Sequence, residues 1–148
     1  MARRLTISAG IVPSITVARR AVRKSKVVYL ICTPRPQKYL RGRSRIIYIG
    51  TTERGVQRAA SSAAHKAIDF LQTWGVKWLD VYLVTCPPRP GVRSWARLER
   101  DFLIAFKLEY GSVPRANKAG RNLGPDQLSG LFNFRRLCNV LMRYAGAR

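Results

Sequence analysis

The stretch "IIYIGTTERGVQR" (46–58) sets a short β-branched and aromatic run directly against a polar turn. Ile46, Ile47, Tyr48 and Ile49 favour a strand. Gly50 ends the run, and Thr51 or Thr52 offers a cap for a following helix. A strand, a glycine and a helix whose first turn carries Arg58 are an odd unit to build for packing alone.

Working outward, "KVVYLIC" (26–32) reads as a second buried strand, paired with 46–50 as a hairpin. The intervening "TPRPQKYLRGRSR" (33–45) reads as a long basic loop punctuated by Pro and Gly. Downstream, "GVQRAASSAAHKAIDFLQ" (55–72) predicts an alanine-rich helix with a core stripe of Val56, Ala60, Ala63, Ala67 and Leu71. A third strand spans 76–86, and "PPRPG" (87–91) breaks the chain. The segment 94–111 predicts a second helix, with Ser94 as N-cap and Gly111 as C-cap. A basic loop covers 112–125, and a third helix capped by Asp126 covers 126–145. The order β-β-α-β-α-α implies an α+β fold, a small three-stranded, mostly antiparallel sheet flanked by helices.

One domain is expected over 26–125, with the C-terminal helix (126–148) packed on it. Residues 1–25 form a basic N-terminal extension with a short helix at 15–24. That extension resembles a targeting segment weakened by Pro13 and its Ser and Thr residues.

Charge narrows the partners. The chain has 28 Lys+Arg against 7 Asp+Glu, a formal +21, and its first acid is Glu53. Such an excess points to nucleic acid first, because phosphate neutralisation drives that binding. An anionic membrane surface and a ribosome-like structural role are the rivals. No apolar run approaches the ~20 residues of a membrane span. Cys32, Cys86 and Cys138 lie far apart with no CxxC pair, which argues against structural zinc and for small buried hydrophobes in a reducing, cytoplasmic compartment.

Three groups carry possible chemistry. Glu99 falls inside the apolar arc of its helix, framed by Trp95, Ala96, Phe102 and Leu103. A carboxylate there either snorkels, pairs with a distant arginine, or ligates a hard cation such as Mg²⁺. Asp101, by contrast, has Arg97 one turn back as a partner. On the first helix, Arg58, Ser62, His65 and Asp69 share an arc opposite the alanine stripe. Asp69 is placed to orient the lone histidine, or the whole set is a solvated face. Tyr29 and Tyr48 lie on neighbouring strands and can face one side, either as core or as acid–base groups.

These residues resemble the GIY-YIG nuclease domain. "VVY" (27–29) stands at the first motif, with Val27 where glycine is usual, and "YIG" (48–50) is identical to the second. Arg58 follows that glycine by eight residues, "LERDFLIAF" (98–106) supplies Glu99, and "GSVPRAN" (111–117) supplies a Pro-x-x-Asn ending in Asn117. The spacing departs from the family between Tyr29 and Tyr48, an excess assigned to the loop 33–45. Ser62 stands where His or Tyr is frequent, with His65 as a stand-in.

The resemblance implies a divalent-metal-dependent endonuclease acting on DNA. Branched or single-stranded DNA and RNA stay open as substrates. Glu99 holds Mg²⁺ or Mn²⁺, and Tyr29 or Tyr48 is the general base, the choice left open. Arg58 stabilises the phosphorane and depresses the tyrosine pKa, and His65 assists proton transfer. Asn117 braces the site, and Gly50 lets backbone and substrate approach. Arg35, Lys38, Arg41, Arg43 and Arg45, with Arg115, Lys118 and Arg121, flank the cleft and hold the phosphate backbone. Tyr39 and Trp95 stack on bases or pack in the core. The alternative is a non-catalytic nucleic-acid-binding protein on the same scaffold. Location is expected to be the cytoplasm, at the nucleoid or in a host cell if phage-borne.

Overall fold

Val27 to Cys32 are buried throughout because they form the first half of the central strand, where it is covered on both faces. The computed structural model describes residues 25–73 and 75–146. The expected targeting segment and the 15–24 helix lie outside these residues, as does all but the last residue of the 1–25 extension. Strand β1 (Val27–Lys38) lies between β2 (Arg43–Thr52) and β3 (Asp80–Val84), antiparallel to both. Helix α1 (Val56–Thr73) packs on one face, and α2 (Ser94–Tyr110) and α3 (Phe134–Ala145) pack on the other. The α+β layout expected from the sequence is therefore present, and no helix among the described residues is long and apolar enough to cross a membrane.

The 33–45 segment is not a long loop. Both strands run on into it, and only residues 39–42 form the turn. Pro34 and Pro36 lack the N–H a ladder needs, so pairing lapses between Cys32↔Ile46 and Gln37↔Ser44 and then resumes. Turn geometry could not be read there because Pro and Gly mask the alternation.

A second irregularity matters more. Ile31 pairs with Tyr48, but the next residue, Cys32, pairs with Ile46. Ile47 is the extra residue of a β-bulge. It lets Ile47 and Tyr48 both pack with the α1 face, while Ile46 and Ile49 join the opposite core.

Helix α1 is rotated relative to the expected stripe. Ala59 and Phe70 are its buried residues, with Ala63 partly buried, whereas Ala60 is exposed and Leu71 is 39% exposed. The side chain of Val56 is outside the described set. Phe70 decides the phase, since one buried aromatic outweighs several methyl groups.

Helix α2 starts at Ser94, but Arg93 occupies the N-cap position and makes no side-chain cap bond. The Ser94 hydroxyl instead donates to the Pro87 carbonyl at 3.3 Å. Gly111 ends the helix in the left-handed conformation expected of it, at φ 81°. Helix α3 begins eight residues later than Asp126, which lies instead in a single 3₁₀ turn, Pro125–Gln127. The N-cap is Asn133, whose side chain accepts from Arg136 N. Of the cysteines only Cys32 is fully buried, where burial pushes its thiol up to about 12; Cys86 and Cys138 are half-buried and free.

Candidate active site

Because Tyr29 is directly opposite Gly50, and Gly50 is two residues from Tyr48, all three share the α1 face of the sheet. The two rings are 5.8 Å apart, tilted by 39°. A Cβ on residue 50 would fall 2.5 Å from Tyr48 Cε1, 2.7 Å from Tyr29 Cζ and 2.8 Å from the Tyr29 hydroxyl oxygen. Glycine is thus required by the tyrosine pair itself, not by backbone conformation.

Asn117 fixes the strand beneath. Its side-chain oxygen accepts from Ile49 N at 2.9 Å, and its amide donates to Ile49 O at 2.8 Å. One residue earlier, Ala116 N donates to Ile47 O at 2.8 Å. The 116–117 segment thereby covers the outer edge of β2 next to Gly50. Asn117 is buried, so both bonds are made away from water.

Glu99 and Asp101 stand two residues apart on α2 and differ in kind. Asp101 is buried and satisfied, accepting from the backbone N–H and the hydroxyl of Ser129. Ser129, not Arg97, is its partner. Glu99 is half-buried and makes no hydrogen bond or ion pair among the described residues. Burial pushes its carboxyl up to about 7. Its charge is felt at Tyr48, whose phenol is pushed up to about 12, first by burial, then by Tyr29 and then by Glu99. Ser62 opposes this with a hydrogen bond. Arg58 is not among the groups that move this phenol, and burial, Tyr29 and the Glu99 charge together hold its proton on.

Helix α1 contributes Ser62 and Lys66, not His65. Lys66 Nζ lies 4.1 Å from the centre of the Tyr48 ring. Its ammonium is pushed down, first by burial and next by Lys118, with Arg58 adding to this and Asp69 opposing. His65 and Asp69 are exposed and form no hydrogen bond with each other. Arg58 is exposed on the first turn, and its charge reaches the site through Lys66. Lys66 was legible in principle, one turn beyond Ser62 on the Ala59–Ala63–Phe70 side, but the alanines hid the phase.

The eight cations proposed for the phosphate backbone divide. Arg41 donates to Lys107 O and Leu108 O at the end of α2, and Arg43 donates to Pro36 O at 3.1 Å. Arg45 donates to Thr33 O at 2.7 Å and pairs with Asp80 at 2.9 Å. Arg115 donates to Lys38 O at 2.7 Å. Lys118 is exposed, and its charge helps push down the Lys66 ammonium. Arg35, Lys38 and Arg121 are exposed. Tyr39 is core, packed edge-on against Phe106 at 5.1 Å with its hydroxyl on Ile46 O. Trp95 is half-buried, with Lys26 4.8 Å above its ring.

The donor set can be weighed against a metal. No group of three or more His, Cys, Asp or Glu converges among the described residues, so a closed protein cage of the zinc type does not fit. Mg²⁺ or Mn²⁺ does fit, because such an ion takes one or two carboxylates and completes its shell with waters and substrate phosphate. Glu99, a half-buried carboxylate with no hydrogen bond or ion pair among the described residues, has the donor chemistry such an ion takes. No protein-family model, curated protein or solved structure matches this chain.

Proposed function

We propose that the protein is a divalent-metal-dependent endonuclease that hydrolyses DNA phosphodiester bonds with a GIY-YIG-type site. A half-buried carboxylate with no ion pair among the described residues, whose charge is felt at Tyr48 of the neighbouring tyrosine pair, in a chain of net charge +21, carries this reading. A binding protein gains nothing from a desolvated negative charge where phosphate must sit, while a metal site does.

The residues divide the work. Arg58, Lys66 and Lys118 draw the scissile phosphate to the Tyr48 face and stabilise the charge that builds on it. Tyr29 and Tyr48 bracket the attacking water. One tyrosine, having first lost its own proton to solvent, takes the water's proton as phenolate while the water oxygen bonds to phosphorus and the ester P–O bond breaks, and the leaving oxygen takes a proton from solvent. Tyr48 keeps its proton in the free protein and needs added positive charge before it can serve as that base. Mg²⁺ or Mn²⁺ on Glu99 would supply that charge, polarise the phosphate and steady the leaving oxygen. Asn117 and Gly50 hold the strand and rings in place.

Incubating purified protein with supercoiled plasmid, with and without Mg²⁺ or Mn²⁺, tests this. Metal-dependent nicking that Glu99→Gln removes, with gel-shift affinity retained, is the expected result. A gel shift with no nicking under any metal or pH would make the protein a non-catalytic nucleic-acid binder on the same scaffold.

A further inference from the structure

Away from the tyrosines, a groove of about 380 Å³ opens between the proline segment of β1 and the chain that leaves α1. Pro34, Arg35 and Gln37 contribute on one side, Gly75, Lys77 and Trp78 on the other. Trp78 is 54% exposed. A lone exposed apolar residue needs no explanation, but this indole lines a concavity with two cations and no acid. The side chains of Arg35 and Lys77 make no hydrogen bond or ion pair among the described residues, unlike Arg41, Arg43 and Arg45 nearby. Gln37 Nε2 is engaged with Arg35 O at 3.2 Å, which leaves its oxygen as an acceptor.

We infer that this groove is a stacking subsite for an unpaired nucleotide, with Trp78 against the base and Arg35 and Lys77 on the flanking phosphates. An aromatic face bordered by cations is the device by which proteins hold single strands without reading sequence. A duplex offers no such partner, because its base faces are already stacked. An apolar peptide would leave two cations unanswered. Lys66 at the tyrosine site and the groove are joined by the last turns of α1, roughly 10 Å of helix. One strand can therefore engage both. The inference rests on nucleic acid being the substrate, and it narrows that substrate to one with an unpaired stretch.

Fluorescence anisotropy of labelled oligothymidine and of a duplex of equal length, in EDTA, tests it. Trp78→Ala is expected to weaken oligothymidine binding about 5–100-fold, Trp78→Phe to retain most of the affinity, and duplex binding to stay within about twofold. Arg35→Gln or Lys77→Gln should each lower the salt slope by about one phosphate contact. Unchanged oligothymidine affinity in Trp78→Ala, an equal loss for duplex, or a Phe variant as weak as Ala would overturn the subsite. Nicking with Mg²⁺ of supercoiled plasmid and of a duplex bearing an unpaired single-stranded flap, measured separately, reports on the reaction. Binding through Trp78 with no nicking would end the nuclease reading and leave the subsite standing. Nicking with a Trp78-independent affinity would end the subsite alone.

Discussion

The basic hairpin and the tyrosine pocket handle charge in opposite ways. In the hairpin, Arg41, Arg43 and Arg45 already spend their donors on carbonyls and on Asp80. Their charge still contributes to the field around the molecule, but their hydrogen bonds hold the hairpin to α2 and β3. Around the tyrosines, Glu99, felt at Tyr48, has no ion pair among the described residues, and the Lys66 ammonium is pushed down by burial and then by Lys118. Uncompensated charge is costly, and it persists where something outside the chain completes it. A high density of arginine in the sequence is therefore a poor map of which cations are left unengaged in the fold.

The largest expected effect is on Glu99. Glu99→Gln should lower metal-dependent cleavage at least about 10²–10³-fold, the range for loss of one charge-stabilising group, as measured by single-turnover nicking. The same variant should be more stable than wild type at pH 8. The folded carboxyl is raised from 4.5 to about 7, so the fold binds its proton more tightly than the unfolded chain does. Its stabilising share is present at low pH and is lost as pH rises through about 7. Removing the charge should recover on the order of 1–2 kcal/mol at pH 8, after discounting for solvent screening, and almost nothing near pH 4. Denaturant melts at the two pH values check this. The proton also competes with metal, so wild-type activity at limiting Mg²⁺ should rise with pH through about 7, and saturating Mg²⁺ should move that rise to lower pH. Equal stability and equal cleavage in Glu99→Gln would erase the contrast between pocket and hairpin.

Gly50→Ala comes next. Its Cβ must displace rings that are 2.5–2.8 Å away. The cost should be about 1–3 kcal/mol of overpacking, with cleavage lost alongside. Asn117→Ala strands Ile49 N and O, for about 1–3 kcal/mol read by thermal melts. The smallest effect belongs to the hairpin. Arg41→Ala should cost about 0.5–1 kcal/mol through the C-terminal end of α2 and barely change plasmid affinity. Lys118→Ala should do the reverse, weakening plasmid binding with little change in melting temperature. A matching affinity loss in both would show that the hairpin arginines are as available to phosphate as the pocket lysines.

The fold was legible where a signal was local and strong. The strand–glycine–helix unit at 46–58, the apolar run at 27–32 and the Gly111 stop each act within a few residues. Misreadings fell where local signals were weak or masked. Prolines disguised a continuing strand at 34–38. Alanines gave helix 56–73 no readable phase, so Lys66 was passed over and Ala60 was expected in the core. Asp126 looked like a cap because Asp is a good one, yet the helix waited for Asn133.

By itself the sequence determined which residue types lie on which elements: two tyrosines on paired strands, a glycine between them, an arginine on the next helix and an acid on the apolar side of another. Elements form through hydrogen bonds and sterics that act within a turn or a strand, so they can be read in order along the chain. Tertiary structure alone decided the rest: the bulge that places Ile47 and Tyr48 together, the choice of Ser129 for Asp101 and of nothing for Glu99, and which arginines are already engaged. Those outcomes depend on desolvation and on partners tens of residues away, and neither is a property of any short stretch of chain.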